Sequence, residues 1–479
     1  MAQFAISKLD GSAVELSEEE VSTFSNSLSG ELLTPTSLQY DQVRAIWNGM
    51  IDRHPGMIVR CNNAADVVQA VTLAQKYKLW ISVRGGGHNI AGSAVCDGGL
   101  MIDLKPMHSV RIDTAKQTAH VEPGCTLSDF DKEAQAFGLA TPTGINSTTG
   151  IAGLTLGGGF GWLSRKYGMT IDNLISADIV TAEAQLIKAS KELNPDLFWA
   201  IRGGGGNFGI VTSFEFQLHP VGPEILSGLI IHPFDDAKQV LQYYREFVAG
   251  LPDETAVWVV LRLAPPLPFI PATWHGKAVV VLAAFHAGAI AEGERILQPL
   301  RSFGNPIADV IGPHTYTIWQ QAFDPLLTPG SRNYWKSHNF EILSDKVLDT
   351  LIEYIHKLPS PHTEIFIGQV GGQMNRVGKE ETAYPHRTAN FILNVHGRWE
   401  TPAEDEVCIT WCRDFFRESA KYATGGVYVN FLTEEETERI RAAYGPNFNR
   451  LVEVKKQYDL ENLFRSNQNI VPENHATSL

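Results

Sequence analysis

Apolar residues recur along this chain with two different periods, and the points where the period changes mark out its elements. Met57 to Arg60 reads as a strand, after which Ala64, Val67, Val68, Val71 and Ala74 fall on one helical face. Asn63 stands at the position of a helix cap, with Asp66 as its N3 partner. Leu79 to Val83 returns to a strand and runs straight into Arg84-Gly85-Gly86-Gly87-His88-Asn89. Ser109 to Val121 alternates in two strands around Asp113-Thr114-Ala115-Lys116, a hairpin signal. Leu127 to Phe137 is a helix stopped by Gly138.

After His219-Pro220-Val221-Gly222-Pro223 glycine thins out and the alternating stretches lengthen. Strands are predicted over 256–263, 277–285, 364–370 and 390–396, and helices over 236–248 and 345–357, the pattern of an antiparallel sheet with helices on one face. Thr433 and Glu436 form a capping box that predicts a helix from Thr433 to Gly445-Pro446, and a second helix follows from Asn447 to Tyr458. The fold class is therefore α+β with two lobes. The expected division is an N-terminal segment 1–52, a glycine-rich lobe 53–221, a second lobe 222–421, and a segment 422–479 that returns to the first lobe.

Composition narrows the function classes. A chain of 479 residues, 44% hydrophobic and 19% charged, has enough apolar side chain for two cores. Its net charge of −14 argues against a nucleic-acid partner, since phosphate backbones are bound by clustered Lys and Arg. No apolar run reaches membrane-spanning length, and the first twenty residues lack a basic flank followed by an apolar stretch, so a cytoplasmic protein is expected. Five scattered cysteines, Cys61, Cys96, Cys125, Cys408 and Cys412, resemble neither a disulfide framework nor a closed metal site, and no metal is expected.

Half of the glycines, 21 of 42, lie between Gly85 and Gly209, with runs at Gly85–Gly87, Gly157–Gly159 and Gly203–Gly206. Three such runs in one segment point to several loops converging on one extended ligand. The first run lacks the strand, G-x-G-x-x-G and helix order of a Rossmann site, because Asn89 onward turns and comes back as a strand. His88 closes a strand-to-glycine turn whose N–H groups suit pyrophosphate oxygens, which places an imidazole beside the rest of that ligand; a loop histidine bonded to a carbonyl is the plainer alternative.

The segments RGGGHNIAG, PTGINSTTGIAGLTLGGGFGWLSRKYG, NPDLFWAIRGGGGNFGIVTSFEFQLHP and YDLENLFRSNQNIVP, in this order, closely resemble the vanillyl-alcohol-oxidase-type (PCMH-type) flavoproteins. Within that group they are similar to the berberine-bridge-like and 6-hydroxynicotine-oxidase-like oxidases. The resemblance implies a PCMH-type FAD-binding lobe and FAD bonded through its 8α-methyl to His88. It implies further cofactor contacts at Arg84, Gly85, Gly86, Gly87, Asn89, Pro123, Gly124, Gly144, Thr148, Thr149, Gly150, Gly153, Gly157, Gly158, Gly159, Gly161, Ile210, Val211 and Asn430. Asn146 stands where many relatives carry a second flavin-linking cysteine, so one covalent bond is implied, and Thr149 stands where oxygen access is set in some relatives.

Tyr428-Val429-Asn430-Phe431 matches the Y-x-N-[FY] segment whose tyrosine serves the family as catalytic base. A phenol needs help to ionise at neutral pH, and Lys336 is one candidate for the charge. Alternation along the strands selects Gln369, Asn394 and His396 as polar positions in apolar runs, hence as substrate contacts beside Lys336. The implied reaction passes hydride from a small alcohol, sugar or amine to flavin, with dioxygen as acceptor and hydrogen peroxide as product. A dehydrogenase of the same fold, a non-covalent NADPH-dependent reductase and a flavin binder without catalysis are the competing readings.

Overall fold

The apolar strand Met57–Arg60 sits between Glu31–Leu33 and Leu100–Asp103, and Ile81–Arg84 completes this first sheet. The three strands that bracket the first glycine turn run parallel. The computed structural model describes residues 3–472. Helix Ala64–Tyr77 is capped by the Asn63 side chain, which accepts the Asp66 N–H as its spacing implies. Its face of Val67, Ala70, Val71 and Ala74 is wholly buried against the sheet. Burial on this scale contributes about 1.5–3 kcal/mol for each of the valines.

A second, antiparallel sheet places Leu186–Ser190, Leu174–Val180, Ile210–Gln217, Thr118–Val121 and Val110–Asp113 side by side. The last two strands are the hairpin expected around Asp113–Lys116. Its core of Phe214, Phe216, Phe198, Trp199 and Phe130 also takes in Leu451 and Val454 from the C-terminal helix Phe448–Tyr458. The chain after Tyr428 is thereby folded onto the glycine-rich half.

The second half is built on one antiparallel sheet in the order Ala308–Asp309, Glu224–Pro233, Ala278–His286, Thr255–Leu263, Glu364–Gln369, Phe391–Trp399 and Arg332–Phe340. Helices Ala237–Val248, Asp345–Ile355 and Asp405–Ala420 cover one face through Phe391, Leu393 and Val395. The alternate residues of the same strands, Ile392 among them, face Phe160, Trp162 and Met169 of the first half. The functional cavity lies on this second face.

Two differences between sequence and structure bear on the site. The strand expected over Leu79–Val83 runs from Ile81 to Arg84, so it ends on the residue that anchors the glycine turn. No α-helix starts at Thr433. Glu436 accepts from Thr433 N and Oγ1 as a capping box would, but it also meets Lys336 Nζ at 3.1 Å and pairs with Arg439. These bonds hold a turn, and the helix begins only at Ile440.

The C-terminal motif is fixed by one fully buried ion pair. Lys455 Nζ donates to Asp459 Oδ2 at 2.6 Å, to the Asn207 carbonyl at 2.7 Å and to the Phe464 carbonyl at 3.0 Å. Asp459 in turn accepts the N–H groups of Leu463 and Phe464. Removing the cation strands a carboxylate in the core, so Lys455→Met is expected to cost about 3–5 kcal/mol. A urea melt showing a loss below about 1 kcal/mol, the worth of an exposed pair, contradicts this.

Candidate functional site

Arg84 ends its strand with the guanidinium bound to Asp103, through Nη2 to Oδ2 at 2.7 Å and Nε to Oδ1 at 2.9 Å, and to the Val43 carbonyl. That anchor fixes where the glycine turn leaves the sheet. A Cβ at Gly86 would lie 2.4 Å from the Gly150 nitrogen, and one at Gly150 would lie 2.4 Å from the Gly86 nitrogen. Two loops thus touch backbone to backbone, an approach open only to glycine on both sides.

His88 follows at the rim of a cavity of about 320 Å³ between the two halves. Its ring stacks on Trp47 with centroids 4.9 Å apart and planes at 22°, and its Nε2 lies 3.0 Å from Thr148 Oγ1. Burial pushes the imidazole down to about 4, against a smaller opposing effect of Thr148, so the ring is neutral at physiological pH. A neutral imidazole held by stacking and one hydrogen bond keeps a nucleophilic nitrogen in a fixed orientation.

Tyr428 is fully enclosed on the same cavity. Its oxygen accepts the Gly159 N–H at 2.9 Å and the Asn430 Nδ2 at 3.1 Å, and that amide is itself held by the Gly153 carbonyl at 3.1 Å. Burial pushes the phenol up to about 12, with the two N–H donors pulling the other way. The pair of donors forms a small anion-stabilising nest around the phenol oxygen.

Of the residues expected at the site, Gly85, Gly86, Gly87, His88, Asn89, Gly144, Thr149, Gly150, Gly153, Ile210, Val211, His396, Tyr428 and Asn430 border the cavity. Thr148 and Gly159 reach it only through His88 and Tyr428. Arg84, Pro123, Gly124, Gly157, Gly158 and Gly161 stand behind it. Pro123 supports Gly85, Gly124 backs onto the carbonyls of Leu104 and Met107, Gly157 makes room for the Asn430 amide, and Gly161 for the Thr143 carbonyl.

Three expected substrate contacts are corrected. Lys336 lies on the helix-covered face of its strand, buried, with Nζ bound to Glu435 at 2.9 Å, Glu436 at 3.1 Å and Thr433 Oγ1 at 3.1 Å. It supplies no charge to Tyr428. Gln369 is consumed by the backbone, accepting from Val257 N at 2.9 Å and donating to the Val248 carbonyl at 3.1 Å. Asn394 shares a strand face with His396 but is wholly buried off the cavity, and its amide has no hydrogen-bond partner among the described residues. Missed from the sequence are Trp47, Phe160, Trp258, Trp335 and Phe366, all on the cavity wall. For Trp258, Trp335 and Phe366 the signal was an aromatic residue on a strand, which fits a core equally well, while Trp47 and Phe160 lie outside helices and strands.

The residues present fit an FAD. Gly153 and Gly206 border the cavity, and an added Cβ at either would meet no protein atom within 4 Å, so the chain leaves room there for a ligand to approach the backbone. Among the described residues no helix is long and apolar enough to cross a membrane.

Residues 55–190 match the family of FAD binding domains, and residues 427–471 match the berberine and berberine-like family. The chain is 31% identical over 457 residues to (R)-6-hydroxynicotine oxidase of Paenarthrobacter nicotinovorans, covering 93% of this chain and 98% of the relative. The crystal structure of 6-hydroxy-D-nicotine oxidase from Arthrobacter nicotinovorans superposes with a TM-score of 0.84 at 30% identity, over 93% of this chain and 99% of that one. A xylooligosaccharide oxidase from Myceliophthora thermophila, in complex with xylobiose, shares the fold at a TM-score of 0.81 and 23% identity, over 95% of this chain and 99% of that one.

Proposed function

Because the chain belongs to the berberine-bridge-like FAD-linked oxidoreductases, we propose that it is an oxidase carrying FAD on His88 through one covalent bond, with dioxygen as electron acceptor. The observation that carries this reading is the neutral, stacked imidazole of His88 at the mouth of the glycine turn, open to the cavity. Asn146 binds the backbone and hydroxyl of Thr148 where relatives place a thiol, which supports a single link.

Bound FAD supplies a hydride acceptor for a substrate carbon and a path for two electrons to dioxygen, released as hydrogen peroxide. The protein's part is to hold and to move protons. The turn at Gly85–Gly87 offers N–H groups to the dinucleotide, and the chain leaves room for it at Gly153 and Gly206. Tyr428 takes the proton from the hydroxyl or amine of a small alcohol, sugar or amine, and Gly159 N–H with the Asn430 amide steadies the phenolate that forms.

The raised pKa of Tyr428 gives this reading a pH signature. Its deprotonated form is scarce at neutral pH and grows about tenfold per pH unit, so anaerobic flavin reduction is expected to climb by about that factor per unit from pH ~6 to ~9. A flat profile over that interval argues against Tyr428 as the acceptor. Under air, each substrate oxidised should yield one hydrogen peroxide. Flavin that substrate bleaches but air fails to restore would instead mark a dehydrogenase.

A further inference from the structure

The hydroxyl of Thr148 carries one hydrogen, and its neighbours fix where that hydrogen points. Asn146 Oδ1 accepts the Thr148 N–H at 3.1 Å, and a backbone N–H only donates, so it is the oxygen of that amide that faces Thr148. The same oxygen lies 2.7 Å from Thr148 Oγ1 and accepts the hydroxyl hydrogen; any other arrangement would set oxygen lone pairs against each other. Thr148 Oγ1 therefore turns a lone pair to His88 Nε2 at 3.0 Å, and Nε2 carries the ring hydrogen. Burial keeps the imidazole neutral, so Nδ1 holds the free electron pair.

The turn that carries these groups is held from both halves of the molecule. Ser147 N donates to Asp324 Oδ1 of the second half at 2.9 Å, and Thr149 N returns to the Asn146 carbonyl at 3.1 Å. On the other side Leu127 N and Ser128 N, at the start of helix Leu127–Gln135, donate to the carbonyls of Thr149 and Ser147, each at 2.9 Å. Thr148 itself is exposed and supports no core, while Asn146 borders the cavity. An asparagine oxygen on the N–H two residues ahead is a common turn device. The turn needs only that bond, so the hydroxyl bond and its continuation to His88 are additional.

We propose that Asn146 and Thr148 are positioning residues for flavin attachment, which set the tautomer of His88 and steady the charge its ring gains as the bond forms. The inference rests on the reading of FAD as bonded to His88. Attachment joins Nδ1 to the 8α-carbon and breaks one C–H bond there, and the Nε2 hydrogen leaves as a second proton. The two electrons released pass through the flavin to dioxygen, which takes up both protons and departs as hydrogen peroxide. While the new bond forms, the Nε2 hydrogen becomes more acidic, and the chain from Thr148 Oγ1 to the Asn146 amide oxygen accepts from it. Without the Asn146 oxygen the Thr148 hydroxyl is free to donate to Nε2, which moves the ring hydrogen to Nδ1 and blocks the attacking lone pair.

The test uses the full chain produced under riboflavin limitation and mixed with FAD under air. Flavin that survives acid precipitation is followed against time, and FAD affinity is read separately from the initial change in flavin fluorescence. Thr148→Val is expected to slow attachment about tenfold, the worth of one hydrogen bond to a group gaining charge, with FAD affinity within about twofold of the parent. Asn146→Leu should slow it about fivefold, through the hydroxyl it no longer orients. Thr148→Ser keeps the hydroxyl and should restore attachment to within about twofold of the parental rate. A parental rate in Thr148→Val, a serine variant as slow as the valine one, or slower attachment matched by an equal loss of FAD affinity overturns the inference. Parent protein that binds FAD yet releases all of it in acid fails the covalent reading instead, so the two failures are told apart by the parent alone.

Discussion

Tyr428→Phe protein will bind flavin normally and be bleached by substrate about 10²–10⁴ times more slowly than the parent, the usual worth of a positioned acid–base group. The ring is retained, and with it the edge contacts to Phe160 at 5.1 Å and Phe431 at 4.9 Å. Only the oxygen is lost, and with it the acceptor for Gly159 N–H and the Asn430 amide. Leaving that buried N–H unpaired costs about 1–3 kcal/mol of stability, a side effect that thermal unfolding separates from the kinetic one. Stopped-flow reduction without oxygen reads the chemistry directly. An unchanged rate removes Tyr428 from its role and makes His396, which also borders the cavity, the next side chain to test.

His88→Ala has the second large effect, because it should take the covalently held fraction of flavin from all to none. Acid precipitation of the parent is expected to leave the yellow colour in the pellet. The alanine variant should release it into the supernatant, and its free flavin should exchange on gel filtration. Trp47 loses its stacking partner in that variant, so weaker retention of non-covalent FAD is expected as well. Colour that stays in the pellet of His88→Ala would move the link to another residue.

The elements were legible wherever burial is one-sided. The helix Ala64–Tyr77 and the hairpin Val110–Val121 show their periods and their turn or cap residues openly, and both stand where the pattern puts them. The glycine turns were legible because loops that meet backbone to backbone, as at Gly86 and Gly150, admit no other residue. Strand parity was the weak point. In Tyr334-Trp335-Lys336 the sequence shows one apolar face and one charged residue, but a shift of one position exchanges the faces. The structure turns Trp335 to the cavity and Lys336 to Glu435 and Glu436, partners a hundred residues away in sequence. Gln369 was misread for a related reason, since a buried amide that satisfies backbone groups looks, in sequence, like one awaiting a ligand. The contacts among Phe160, Trp258, Trp335, Phe366, His396, Tyr428 and Phe431 on the cavity wall were hidden because these residues come from six separate segments, and only the closed fold brings their rings together.

The covalent bond at His88 is tested most directly by mass spectrometry of the protease-digested, denatured protein. The peptide containing His88 should carry the added mass of FAD, with fragmentation placing it on the imidazole and no flavin on the peptide containing Asn146. An unmodified His88 peptide from yellow protein, with all flavin recovered free, would contradict it.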